Sequence, residues 1–342
     1  MIFFSASITL IAITILHPIA VNFKLVDSPN IRKPHSGSIP LIGGIAMFTG
    51  VSFSLLMFLD YFDYIYYFLY TSIIIVIVGI VDDSKNISPF IRLLFQMIVG
   101  LIIVTIAGVN IDSLGNLFGK GQLILGPWTT IISVIAVIAA MNAVNMADGI
   151  HGLAGGNSLI TFLSILILSI NSQSESLILV ILFCSVLPIF LIFNLCIGIS
   201  SKRRIFMGDT GSMLIGLAIA WVLIDLSQGE SKSFNPVTAL WLFAVPLFEM
   251  TTSILRRIIS GISPFKPDLY HSHHLLMKSG LSERKTLVLI LLASSFTGIL
   301  GIIGEVCKID EKLMLMLFII LFLIYFLGSR KILSNINFDS II

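Results

Sequence analysis

Two adjacent carboxylates, Asp82 and Asp83, close an apolar run that extends from Ile73 to Val81. At a helix C-terminus they face the negative end of the backbone dipole, a placement that a bound cation would offset. Mg²⁺ neutralisation or activation of a phosphate nucleophile explains the pair; a solvated loop start is the plainer alternative. Further along, Asn142, Asn145 and Asp148 recur every third residue, on roughly one face if the helix continues that far. Gly149, Gly152, Gly155 and Gly156 follow, and glycine lets backbone approach a ligand closely. Oxygen ligands beside such a turn suit hard cations and phosphates; a glycine-capped polar helix end is the alternative. Asp209 lies in the turn Gly208-Asp209-Thr210-Gly211-Ser212, ahead of another apolar run. It reads as a metal ligand, as an N-cap, or as both.

The cations are grouped as well. His271, His273 and His274 share a loop with Arg256, Arg257, Lys266 and Lys278. Zinc lacks a cysteine or acid at a usual companion spacing. The loop therefore reads as a cationic, hydrogen-bonding clamp for a diphosphate, or as a basic segment that only orients the chain. Lys33 and His35, stiffened by Pro34 and Pro40, offer a phosphate contact or an anchor. Arg92 is placed to meet an anionic head group at a membrane edge. Glu249, three residues after Pro246 in an apolar run, defaults to function or pairs with Arg256 or Arg257.

The elements that must hold these groups are membrane helices. Of 342 residues, 57% are hydrophobic and 11% charged, where a soluble domain carries about a quarter charged. The expected architecture is an all-α polytopic bundle forming one integral-membrane domain over residues 1–342. A span needs about 20 mostly apolar residues. Windows fall near 2–22, 41–59, 62–81, 91–109, 128–146, 157–172, 176–197, 211–227, 236–256, 285–304 and 312–328, which makes eleven. The first window has no basic start and no small-residue cleavage site, so it reads as a retained span. Basic residues orient the set. With the N-terminus outside, sixteen of the 20 Lys and Arg fall in cytoplasmic loops, and only Lys120, Lys232, Lys308 and Lys312 fall outside. The same parity gathers every polar patch at the cytoplasmic face. Residues 110–127 suggest a small outer hairpin. Cys184, Cys196 and Cys307 fit neither a disulfide framework nor a zinc site. There is no internal repeat and no nucleic-acid signature.

Four ordered motifs carry a resemblance. They are Asp82-Asp83, Asn142-Ala143-Val144-Asn145-Met146-Ala147-Asp148-Gly149, Phe206-Met207-Gly208-Asp209-Thr210-Gly211-Ser212 and His271-Ser272-His273-His274. Together with Arg32-Lys33-Pro34-His35 they resemble the polyprenyl-phosphate N-acetylhexosamine-1-phosphate transferases (glycosyltransferase family 4), from about residue 20 to 305. The stretch Ser263-Pro264-Phe265-Lys266-Pro267-Asp268 resembles the branch that uses UDP-GlcNAc. Asn86 and His151 stand where the family often has further aspartates.

The resemblance implies transfer of a sugar 1-phosphate from a UDP-N-acetylhexosamine to undecaprenyl phosphate, with release of UMP, at the bacterial inner membrane. The cofactor it implies is Mg²⁺, with Mn²⁺ as the alternative ion. In that scheme Asp209 and Asn145 hold the metal across the diphosphate, and Asp82 and Asp83 orient or deprotonate the lipid phosphate. Arg92 holds that phosphate, with Lys33 and Asn142 as further substrate contacts. His271, His273, His274 and Arg257 steady the diphosphate and the leaving UMP, and Asp148 contacts nucleotide or sugar. Known branches form dimers, so a homodimer belongs to the same expectation. A lipid-phosphate transporter would instead place facing charges near the bilayer midplane in paired broken helices; a non-catalytic homologue is the other alternative.

Overall fold

The computed structural model describes residues 1–27, 37–58, 63–264, 266, 268 and 270–335. Its helices, in chain order, are α1 (Ile2–Asn22), α2 (Gly43–Phe58), α3 (Asp63–Lys85), α4 (Pro89–Thr105), α5 (Thr129–Ala147), α6 (Leu153–Ser169) and α7 (Ser176–Asn194). They continue with α8 (Gly208–Asp225), α9 (Pro236–Leu242), α10 (Ala244–Ile259), α11 (Ser272–Lys278), α12 (Glu283–Val306) and α13 (Glu311–Asn335). A two-residue antiparallel ladder pairs β1 (Val26–Asp27) with β2 (Ile39–Pro40). The chain is an all-α polytopic membrane protein.

The count of eleven spans is not confirmed. Seven helices (α1, α3, α5, α7, α8, α12 and α13) are long and apolar enough to cross a membrane, and α9 with α10 makes an eighth if that bent pair is one span. The windows at α2, α4 and α6 hold apolar helices of only 16, 17 and 17 residues. At 1.5 Å per residue these reach roughly 25 Å, short of a hydrocarbon core of about 30 Å.

The helix α8 is the axis of the bundle. From Gly208 to Ile224 every residue but Asp209 is buried. Its neighbours approach through glycine, as small residues allow in membranes. A Cβ on Gly44 of α2 would overlap the Gly211 backbone, one on Gly79 of α3 would overlap Thr210, and one on Gly216 would overlap the Met141 backbone of α5. The loop before α8 is stitched to the start of α2. Phe206 N–H donates to Pro40 O at 2.9 Å, and Gly43 N–H donates to Phe206 O at 2.9 Å.

The pair α9–α10 bends by 82°. Pro246 explains the break. It has no N–H to donate to Leu242 O, and its ring crowds that carbonyl. Thr161 Oγ1 of α6 donates to Leu242 O instead, at 3.0 Å. The small hairpin expected within residues 110–127 forms, with a bridge between Ser113 and Ile124.

Candidate active site

Four helix ends meet at Asp209. The helix α3 carries Asp82 and Asp83 in its last turn. Asp83 Oδ1 accepts from Asp209 N–H at 2.7 Å, and its Oδ2 accepts from Thr210 N–H at 3.2 Å and Thr210 Oγ1 at 2.7 Å. It thereby satisfies amides that the first turn of α8 leaves without partners. The N-cap reading of Asp209 is corrected: Asp83 does the capping from another helix, and Asp209 is released to face outward, its side chain 33% exposed.

Asn86 ends α3 in the left-handed region, with φ of 51°, a conformation that asparagine tolerates better than most residues. The tight turn through Ser88 and Pro89 then starts α4 and brings Arg92 back over Asp82. Arg92 Nη1 donates to Asp82 Oδ2 at 3.3 Å and stands 3.6 Å from Asp209 Oδ1. Asp82 Oδ1 also accepts from Ile87 N–H at 3.0 Å. From α5, Asn145 Nδ2 donates to Asp209 Oδ1 and, at 2.9 Å, to Ser212 Oγ. Asp82 and Asp209 thus share one arginine, while Asp83 is taken up by the start of α8.

The helix α5 carries both Asn142 and Asn145. Asn142 turns into the helix packing, donating to Gln96 Oε1 of α4 at 2.7 Å and to Ile138 O at 2.8 Å. Asp148 is the exposed residue that ends α5. The glycine turn beyond it is held by Asn194 of α7. Asn194 Oδ1 accepts from Gly152 N–H at 2.6 Å, and Asn194 Nδ2 donates to Ile205 O at 2.9 Å. His151 Nδ1 stands 3.0 Å from Glu283 of α12, and its Nε2 stands 2.9 Å from Arg204 Nη1.

The histidine segment is a helix start, not an open loop. His271 precedes α11, and both it and His273 are buried. A Cβ on Gly149 would fall on the His273 ring, so the turn after α5 packs directly on this segment. The C-terminal end of α5 is therefore shared: Asn145 touches Asp209, and Gly149, four residues on, touches His273. Among the described residues, neither ring nitrogen of His273 has a hydrogen-bond partner. Burial first, then the neighbouring His274, pushes its pKa down to about 3. His274 is half-buried and lowered as well, by burial, His271 and Lys278. The buried His273 packs against Gly149.

Glu249 pairs with His271, not with the arginines. His271 Nδ1 is 2.9 Å from Glu249 Oε1, and Ser272 N–H donates to the same oxygen at 3.0 Å. Asp268 takes both arginines: Arg256 Nη2 at 3.1 Å and Arg257 Nε at 2.8 Å. Arg257 Nη1 further donates to Pro264 O at 2.6 Å. These bonds tie Arg257 to Asp268 and Pro264. Burial pushes the Asp268 carboxyl up, but the Arg257 bond, the Tyr270 N–H and the two guanidinium charges outweigh it and hold it below the ordinary value. Lys33, Arg32 and His35 lie outside the described residues. Sequence reasoning missed Gln96 and Tyr325. The lone amide of Gln96 in an apolar run was a usable signal; Tyr325 gave none.

The sequence model of glycosyl transferase family 4 matches residues 65–227. Over 311 residues the chain is 40% identical to an undecaprenyl-phosphate alpha-N-acetylglucosaminyl 1-phosphate transferase of Yersinia pestis, covering 90% of this chain and 84% of that protein. A protein of the same description from Haemophilus influenzae is 42% identical over 328 residues, covering 94% and 90%. One from Salmonella typhimurium is 39% identical over 325 residues, covering 93% and 87%.

Proposed function

The chain belongs to glycosyl transferase family 4, and from that premise we propose that it transfers N-acetylglucosamine 1-phosphate from UDP-GlcNAc to undecaprenyl phosphate, releasing UMP. The product would be the first lipid-linked sugar of a cell-surface polysaccharide. The observation that carries this reading is the junction at Asp209, where α3, α4, α5 and α8 bring three carboxylates, an amide and one guanidinium together.

Such a junction is short of positive charge. Among the described residues no three His, Cys, Asp or Glu side chains are spaced to hold an ion unaided. Mg²⁺ at phosphates needs only one or two carboxylates besides water and phosphate oxygens. Asp209 and the Asn145 carbonyl fit that requirement as hard oxygen donors. When bound, the ion would neutralise charge on the diphosphate.

The protein's own groups do the positioning. Asp83 holds Asp209 through the α8 amides, so we assign Asp83 to fixing the site. A phosphate monoester has its second pKa near 6, so the acceptor is largely dianionic at neutral pH and needs orientation more than deprotonation. Arg92, already between Asp82 and Asp209, can exchange a carboxylate for that phosphate without leaving its place. The lipid phosphate would then attack the sugar-bearing β-phosphorus in line, with UMP as leaving group. Catalysis of this kind is chiefly alignment and charge stabilisation. His271 and the segment it begins would border the diphosphate side, and Asp148 the nucleotide or sugar. We place the N-terminus outside and the site and C-terminus in the cytoplasm.

The test uses membranes containing the protein, undecaprenyl phosphate, Mg²⁺ and labelled UDP-GlcNAc, with Asp209→Asn membranes alongside. Label should pass into the lipid extract, and both EDTA and the substitution should abolish it. Full transfer by Asp209→Asn would refute the metal assignment. Transfer only from another UDP-N-acetylhexosamine would refute the donor.

A further inference from the structure

The last helix, α13, has only 6% of its spanning window buried within the protein, yet one of its side chains reaches the site. Phe318, Phe322 and Tyr325 follow one another at helical spacing and lean on Phe248 of α10, with ring centroids 4.9, 5.4 and 5.7 Å away. That packing delivers the Tyr325 hydroxyl to Glu249 Oε2 at 2.5 Å.

Glu249 is 6% exposed, and its two oxygens are used unequally. Oε1 accepts from His271 Nδ1 at 2.9 Å and from Ser272 N–H at 3.0 Å. Oε2 has the same Ser272 N–H, shared at 3.2 Å, and Tyr325. Tyr325 is therefore the one donor among the described residues that belongs to Oε2 alone. Without it, the carboxylate can rotate to give its better-bonded oxygen a different neighbour. His271 Nδ1 would lose its fixed carboxylate acceptor and keep only Ser253 Oγ, 3.2 Å away, so the ring would no longer be held with Nε2 toward Asp268 Oδ1, 3.9 Å away.

We propose that Tyr325 is a positioning residue for the transferase: acting through Glu249, it sets the orientation of His271 and the start of α11. The consequence for catalysis rests on the reading of this segment as the diphosphate side; the orientation itself does not. The closing helix is then part of the site's framework as well as part of the lipid-facing surface.

The experiment compares full-length, ¹⁵N-histidine-labelled protein in detergent with its Tyr325→Phe variant, which keeps the ring against Phe248. His271 is assigned by the signals lost in His271→Gln. Its ring-nitrogen resonances should move in Tyr325→Phe, while those of His151, paired elsewhere, should stay. Glu249→Gln, which keeps the side-chain shape, should move the same resonances and serves if Tyr325→Phe does not accumulate. In the transfer assay, Tyr325→Phe should lower kcat about tenfold, the order expected for one lost bond to a charged group. KM for undecaprenyl phosphate should be unchanged. In a His271→Gln background the substitution should cause no further loss. Unmoved His271 resonances overturn the proposal, as does an equal loss in both backgrounds. If the wild-type protein transfers no sugar phosphate, the functional reading fails, and the resonances still decide the role of Tyr325.

Discussion

Replacing Gly79 by alanine tests the geometry of the site from a position that carries no chemistry. Gly79 lies one helical turn before Asp83 on the same face of α3. A Cβ there would stand 2.8 Å from Thr210 N, with Thr210 Cα closer still. Ordinary contact begins near 3.4 Å, so α3 and α8 must separate by at least about 0.6 Å. Directed along the bonds, that movement takes Asp83 Oδ1 to Asp209 N from 2.7 to about 3.3 Å, and Asp83 Oδ2 to Thr210 N from 3.2 to about 3.8 Å. The second is no longer a hydrogen bond. Losing one bond to a charged group costs about 1.5–3 kcal/mol, and overpacking adds about 1–3 kcal/mol. Alanine's better helix propensity returns about 1 kcal/mol. Asp209 moves with its backbone, and misplacement approaching 1 Å reduces rates on the order of a hundredfold. The assay is lipid-linked sugar formation in membranes at matched protein, with the melting temperature in detergent. Gly100→Ala is the control, since its Cβ would come no nearer to any atom than Val134 Cγ1 at 3.2 Å. Gly79→Ala with both rate and melting temperature at the control's level would refute the argument that the α3–α8 contact sets the site.

Three further outcomes are expected. Arg92→Gln removes the cation between Asp82 and Asp209; transfer should fall roughly a hundredfold with a raised KM for undecaprenyl phosphate, in keeping with lost transition-state and phosphate contacts, and an unchanged KM would count against Arg92 as the acceptor's partner. Asn142→Ala leaves Gln96 Oε1 unpaired, so stability should drop by about 1–3 kcal/mol with the transfer rate within a few-fold of wild type; a collapse of rate at unchanged stability would assign Asn142 to the substrate. His273 has a folded-state pKa near 3 against an ordinary 6.5, so the stability it contributes is complete above about pH 6.5 and is lost as pH falls toward 3. Melting temperatures should decline between pH 7 and pH 5, and His273→Phe should flatten that decline; a profile as steep in the variant would mean that other groups set it.

The sequence made the inventory of the site legible but not its wiring. Asp82, Asp83, Asn145 and Asp209 could be picked out because charge and amide are rare in apolar runs, and the structure joins all four directly or through one neighbour. Which carboxylate caps and which faces outward was not legible. That depends on the register of α3 against α8, which is set by Gly79 against Thr210, a contact 131 positions apart in the chain. For Asn142, helical spacing gives a face but not its neighbour, which in the fold is Gln96. Glu249 read either as functional or as a partner of Arg256 or Arg257; the fold gives it His271, and gives both arginines Asp268. The exact span count was not legible either, because apolar helices of 16 and 17 residues read like full crossings.

The break at Phe243 shapes the encounter with a lipid. The 82° turn sets α9 across the line of α10, and α10 runs beside α13, with Phe248 against Phe318, Phe322 and Tyr325. Ile258 and Ile259 of α10 are exposed, while Glu249 and Arg257 are buried. The helix thus divides greasy from charged, as an isoprenoid phosphate does. An acceptor that meets the protein from within the bilayer keeps its chain among the lipids, so no step has to extract that chain into water. The search is then two-dimensional, and the relevant concentration is the number of acceptors per area of membrane, not per volume of cell.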